Sequence, residues 1–138
     1  MSAVRLALAV AAAVLLQGSM TLRTVARGDQ SNVDSPRQVV ARTASEWNAL
    51  WRQHDFDRPA PAVDLSREMI VAVFLGSRTT AGFGVEIASA QSQGGGVLVR
   101  YKVSEPGAGS VTAQVLTFPY HIVALPRSAG DVKFDRID

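Results

Sequence analysis

Met69 to Leu75, MIVAVFL, is an unbroken apolar run stopped by Gly76. It is too short for a core helix, and its β-branched residues favour a strand. A strand with one wet face alternates polar and apolar residues, and this one does not. It is therefore expected to be a central strand buried on both faces. The rest of the chain must supply apolar cover on two sides.

The cover is visible in the flanking sequence. Thr43-Ala44-Ser45-Glu46 has the form of a capping box, in which the Thr43 hydroxyl and the Glu46 side chain satisfy each other's backbone N–H. The helix that follows sets Trp47, Leu50, Trp51 and His54 on one stripe. The two tryptophans are expected to be the core face of this helix, not a ligand platform. DFDRPAPA, residues 55–62, ends it with prolines. Alternating or apolar segments at 37–42, 85–90, 97–103, 111–115, 121–125 and 132–134 are expected as further strands. The chain is thus expected to be α+β and mainly β: an antiparallel sheet or small sandwich of about six strands with one helix packed on it.

The N-terminal segment differs from the rest. Arg5 precedes an apolar stretch, Leu6–Leu16, which is shorter than the span of about 20 residues that crosses a bilayer. Residues 1–26 are expected to be a signal peptide, with small residues at Thr24 and Ala26 for cleavage after Ala26 and a rival site near Gly18-Ser19. Residues 27–36, RGDQSNVDSP, are expected to be a flexible leader to a domain over 37–138. This organisation implies export to the periplasm or the extracellular space, with no stable membrane anchor after signal cleavage.

Charge and composition exclude several functions. Setting aside Arg5 and Arg23, the 14 basic residues fall to 12, equal to the 12 acidic ones. No Lys/Arg cluster marks a nucleic-acid footprint. The sequence has no cysteine, so disulfides and thiolate chemistry are out. His54 and His121 are the only histidines and have no HxxxH or HExxH spacing, so no metal and no cofactor are expected. His54 is expected to close the helix C-terminus as a cation, and His121 to be a hydrogen-bonding structural residue. Ser128, His121 and Asp131 are the residue types of a hydrolytic triad, but no GxSxG elbow accompanies them. QGGG and PGAG precede no helix and fit hairpin turns, not phosphate cradles.

The loop after the central strand, Ser77-Arg78-Thr79-Thr80-Ala81-Gly82-Phe83-Gly84, carries an arginine, two hydroxyls and an aromatic ring. Arginine and aromatic side chains are recognition groups, although Phe83 would also serve as a core residue.

Four stretches together resemble a known family. They are SEWNALW (45–51), MIVAVFLG (69–76), RTTAGF (78–83) and QVLTFPYHIV (114–123). In this order and spacing, residues 43 to 127 resemble the C-terminal domain of the protease complex subunit PrcB family. The resemblance implies an exported, non-catalytic module that associates with and stabilises an extracytoplasmic protease. The contact residues it suggests are Arg78, Thr79, Thr80, Gly82 and Phe83, with Tyr120 and His121 as second candidates. The family loop usually reads RPTGGY, so Thr79, Ala81 and Phe83 depart from it. Thr-Thr-x-Gly-aromatic is also similar to the loop of chagasin-type cysteine-peptidase inhibitors. That gives an alternative, a peptidase inhibitor presenting residues 78–84. A small hydrolase is the remaining one.

Overall fold

A computed structural model describes residues 18–138; the apolar stretch Leu6–Leu16 lies outside them. The elements are β1 (Arg23–Gly28), β2 (Arg37–Ala41), α1 (Ala44–His54), β3 (Glu68–Phe74), β4 (Gly84–Gln93), β5 (Gly96–Ser104), β6 (Tyr120–Pro126) and β7 (Val132–Ile137). They form two sheets, ordered β1-β6-β3-β2 and β4-β5-β7. The helix covers the outer face of the four-stranded sheet, and the three-stranded sheet covers its inner face.

This layering explains the apolar runs. On β3, Met69, Val71 and Val73 face the second sheet, while Ile70, Ala72 and Phe74 face the helix. Its neighbour β6 divides in the same way, with Val123 and Leu125 inward and Ile122 and Ala124 toward the helix. Both strands are buried on two faces, as expected for Met69–Leu75. Trp47, Leu50, Trp51 and His54 are the buried stripe of α1.

Local chemistry fixes the ends of the helix. The Glu46 N–H donates to Thr43 Oγ1 at 3.1 Å and the Thr43 N–H to Glu46 Oε1 at 3.2 Å, closing the capping box. The proline-bearing segment then folds back over the tryptophans. Trp47 Nε1 donates to the Pro61 carbonyl and Trp51 Nε1 to the Arg58 carbonyl. With ring and N–H both committed, neither tryptophan is a ligand platform.

Four expectations need correction. First, the sequence assigned residues 23–36 to the end of a signal segment and a flexible leader. Instead β1 pairs antiparallel with β6 over Arg23–Gly28, and the Met20 N–H donates to the Ala90 carbonyl. Further on, Val33 is buried, and the Asn32 and Ser77 N–H groups donate to the His54 and Asp34 carbonyls. Second, residues 111–115 form no strand, and Val111 and Val115 are exposed. Third, the sheets are not wholly antiparallel, because β7 pairs parallel with β5. Fourth, His54 ends α1 but not as a cation: it is buried against Trp51, Phe74 and Tyr120, and burial disfavours its charged form.

The glycine turn is tighter than the sequence suggested. β4 and β5 run up to Gly94-Gly95 alone, both at positive φ. Such a two-residue turn matches the twist of the strands it joins.

Candidate functional site

The loop after β3 leaves the core through Gly76, whose φ of +76° is open to glycine and strained for other residues. A Cβ there would lie 2.8 Å from Pro36 Cδ, so β3 ends hard against the segment leading into β2. The loop that follows is stapled in place. Arg78 and Thr117 exchange both backbone hydrogen bonds, at 2.8 and 2.9 Å. The Ala81 N–H donates to the Ala113 carbonyl at 3.0 Å. Thr117 is buried, and its hydroxyl donates to the Thr80 carbonyl at 3.0 Å. Residues 113–117 therefore run antiparallel beside 78–81, and the two loops form one surface.

Arg78 organises that surface from within. Its Nη1 donates to the carbonyls of Leu75 and Ser77, at 3.0 and 3.1 Å. Its guanidinium carbon lies 5.5 Å from the centroid of Phe83. A guanidinium over an aromatic face is an attractive pair. Phe83 is half-buried beneath it, while Thr79 and Gly82 are exposed. The five residues Arg78, Thr79, Thr80, Gly82 and Phe83 thus come together on one stapled loop.

Tyr120 and His121 do not join them. The Tyr120 ring packs on the helix side of the sheet, 4.2 Å from the His54 ring. His121 faces the opposite way and is buried between the sheets. The Ile87 N–H donates to its Nδ1 at 2.8 Å, and its Nε2 lies 2.9 Å from Thr24 Oγ1. Because Nδ1 accepts from an amide, the ring proton sits on Nε2 and is donated to Thr24. His121 therefore ties β1, β4 and β6 together and has no surface to offer a partner. Burial, then the nearby Arg27 charge, push its pKa down to about 4, against an opposing pull from Glu86.

The hydrolytic arrangement is not assembled. Both His121 nitrogens are taken by Ile87 and Thr24, not by Ser128 or Asp131. A different Ser–His pair does form: Ser31 Oγ lies 2.8 Å from His54 Nδ1. The same Ser31 oxygen accepts the Val33 N–H, and both residues are buried. Burial holds the His54 pKa below its ordinary value. This pair satisfies polar groups in the aromatic layer under α1 and is closed to substrate. Among the described residues, no three His, Asp or Glu side chains form a metal-holding group.

Sequence reasoning missed the exposed apolar residues beside the loop. Val111, Val115 and Leu116 are 101%, 50% and 60% exposed, the largest such exposures in the domain apart from Phe56. The signal was present in the adjacent pair Val115-Leu116, which breaks the alternation that suggested a half-buried strand. An exposed apolar group next to an arginine and an aromatic ring has the composition of a protein-contact surface.

Residues 69–126 match the family model described as PrcB C-terminal. The match begins in β3 and ends at the last residue of β6, so it takes in both stapled loops. The match supports a PrcB C-terminal domain in this part of the chain. No curated protein and no solved structure matches the chain.

Proposed function

We propose that this chain, through its PrcB C-terminal domain, is a non-catalytic subunit that binds and stabilises an extracytoplasmic protease. The family assignment suggests a protease-associated domain. The observation that carries the finer reading lies inside the matched region: a loop held rigid by a buried threonine, flanked by exposed Val115 and Leu116. A preformed loop loses little conformational entropy on binding. Arg78 and Phe83 anchor the contact, Thr79 and Gly82 lie at its centre, and Leu116 extends it. Export remains part of this reading, and β1 moves the processing site. Cleavage after Ala26 would cut through β1, whereas cleavage near Gly18-Ser19 would disturb only the short bridge of Gly18 and Ser19 to Ser92 and Gln91, so we place it there.

The test is co-purification of the tagged chain from its native exported fraction, comparing wild type with Arg78→Ala/Phe83→Ala and with Leu116→Ser. The expected result is a protease captured by wild type and reduced about tenfold with each variant. Leu116→Ser alters an exposed side chain and leaves the staples intact, so it separates binding from folding. Capture that is equal for all three proteins removes this surface from the account.

The rigid Thr79–Phe83 loop also favours a second reading, inhibition. Added domain would then lower the activity of the captured protease, whereas a stabilising subunit would prolong it.

A further inference from the structure

Among the described residues, the two sheets have four edge strands, β1, β2, β4 and β7. An open edge presents unpaired N–H and C=O groups to any other chain, and folded proteins cover, interrupt or charge such edges. Three of these edges are treated in that way. On β4, the Ala90 carbonyl accepts the Met20 N–H and the Val85 carbonyl accepts Arg27 Nε. β1 is interrupted by a register shift between Thr24 and Ala26. β7 carries Lys133, Asp135 and Arg136 among its six residues. β2 has none of these devices. It pairs with β3 in unbroken register, and after Arg37 its residues are Gln38, Val39, Val40 and Ala41.

Along an antiparallel edge strand, alternate residues turn both backbone groups toward the neighbouring strand or both away from it. Arg42, the residue after β2, sets the phase. Its N–H donates to Glu46 Oε1 at 3.0 Å and its carbonyl accepts from Arg127 Nη1 at 2.8 Å, so both groups lie outside the ladder. Two and four residues earlier, Val40 and Gln38 turn the same way. Among the described residues, only β3 offers backbone partners to Arg37–Ala41. The open groups of Gln38 and Val40 repeat at about 6.8 Å, the two-residue spacing of an extended chain. Val39 and Val40 are half-buried on opposite faces, Val39 toward the helix and Val40 between the sheets.

We infer that the β2 edge receives an extended segment of the partner polypeptide as a fifth strand of the β1-β6-β3-β2 sheet. Its main chain bonds to the N–H and C=O groups of Gln38 and Val40, and its uncharged, β-branched side chains lie beside Val39 and Val40. The edge begins where the stapled loop leaves the core. A Cβ on Gly76 would lie 2.8 Å from Pro36 Cδ, and the Ser77 N–H donates to the Asp34 carbonyl at 3.1 Å. A partner seated on the loop therefore meets β2 without leaving the surface. The inference rests on the partner-binding reading above and adds how the partner's chain is held.

The experiment uses the full chain labelled with nitrogen-15. Amide signals and their deuterium exchange are followed while acetyl-Ser-Thr-Val-Thr-Val-Thr-Ser-amide is added, or the same peptide with its Thr and Val amides N-methylated. The expected result is a saturable shift of the Gln38 and Val40 amides with the unmethylated peptide, at a Kd of about 1 mM or tighter. Exchange at those two amides slows, while exchange at Val39 and Ala41, already bonded to β3, is unchanged. The methylated peptide gives no effect. No saturation, or an equal effect from the methylated peptide, overturns the assignment. Protection of Gln38 and Val40 that grows with protein concentration alone, with a dimer in sedimentation, overturns it in favour of a second copy at this edge. Val40→Pro removes an outward N–H and none from the ladder, so a native-like amide spectrum is expected, with the peptide weakened at least tenfold. The wild-type titration decides the matter without that variant. Failure of the edge is separable from failure of the loop. Protease capture that falls with Leu116→Ser but not with Val40→Pro dismisses the edge alone, and capture unchanged by both dismisses the partner-binding reading as well.

Discussion

Acidification should loosen this domain well above the pH at which carboxylates titrate, and His121 is the reason. In the unfolded chain its imidazole has the ordinary pKa of 6.5, and in the folded protein it is pushed down to about 4. Between those values the unfolded state binds a proton that the folded state does not. The stability due to neutral His121 is therefore complete above about pH 6.5 and is lost as pH falls toward 4. The geometry gives the same sign. Protonation at Nδ1 would set a second N–H against the Ile87 amide, in the buried layer between the two sheets. Each pH unit in the window costs about 1.4 kcal/mol, so the loss is about 2 kcal/mol at pH 5 and about 3 kcal/mol at pH 4. His54 is shifted in the same direction by burial and adds to the loss. Glu46 is held below its usual range mainly by the Arg42 backbone N–H, and Asp64 by Ser66. Their contributions fade only at still lower pH, so the interval from about pH 6.5 to 5 reports the histidines. Urea unfolding across that interval gives the free energy, and an NMR titration of the His121 ring gives its native pKa. A ring that titrates near 6.5 in the folded protein, or a stability that stays flat down to about pH 5, would refute the reasoning.

Two further outcomes follow from the same contacts. A chain beginning at Arg27 should be less stable than one beginning at Ser19 by roughly 3–5 kcal/mol in urea unfolding. It loses the burial of Met20, Leu22 and Val25 and the Thr24–His121 hydrogen bond. Equal stability would show that β1 adds nothing and would restore Ala26 as a processing site. Gly76→Ala should lower thermal stability by about 1–3 kcal/mol, through its positive φ and the contact with Pro36. Gly94→Ala, also at positive φ but with nothing within 4 Å, should cost less, and equal costs would contradict the role given to Pro36.

The parts of the fold that were legible in the sequence are those whose physics is local. Met69–Leu75 and Ile122–Leu125 are apolar on successive residues because each face of their sheet meets a different layer. Helix α1 announced itself through Thr43 and Glu46, three residues apart. The misread parts depend on contacts far along the chain. Thr24-Val25-Ala26 suits a cleavage site and an edge strand equally, and only β6, about a hundred residues later, decides between them. The alternation Val111, Ala113, Val115 signals a strand but not which face is wet, and here both sides stay outside the core. At the candidate site, Arg78 and Phe83 were named from residue type. The staple that makes the loop rigid depends on Thr117, a residue whose sequence context gives no sign of it. The burial of His121 was equally hidden, because its partners Thr24 and Ile87 are distant in sequence.

The most direct test of the central claim is the co-purification from the exported fraction, with Leu116→Ser beside wild type. A protease recovered in stoichiometric amount with wild type and about tenfold less with the variant is the predicted result. Recovery of the domain alone, or equal recovery of a protease with both proteins, would contradict the claim that the stapled loop surface binds it.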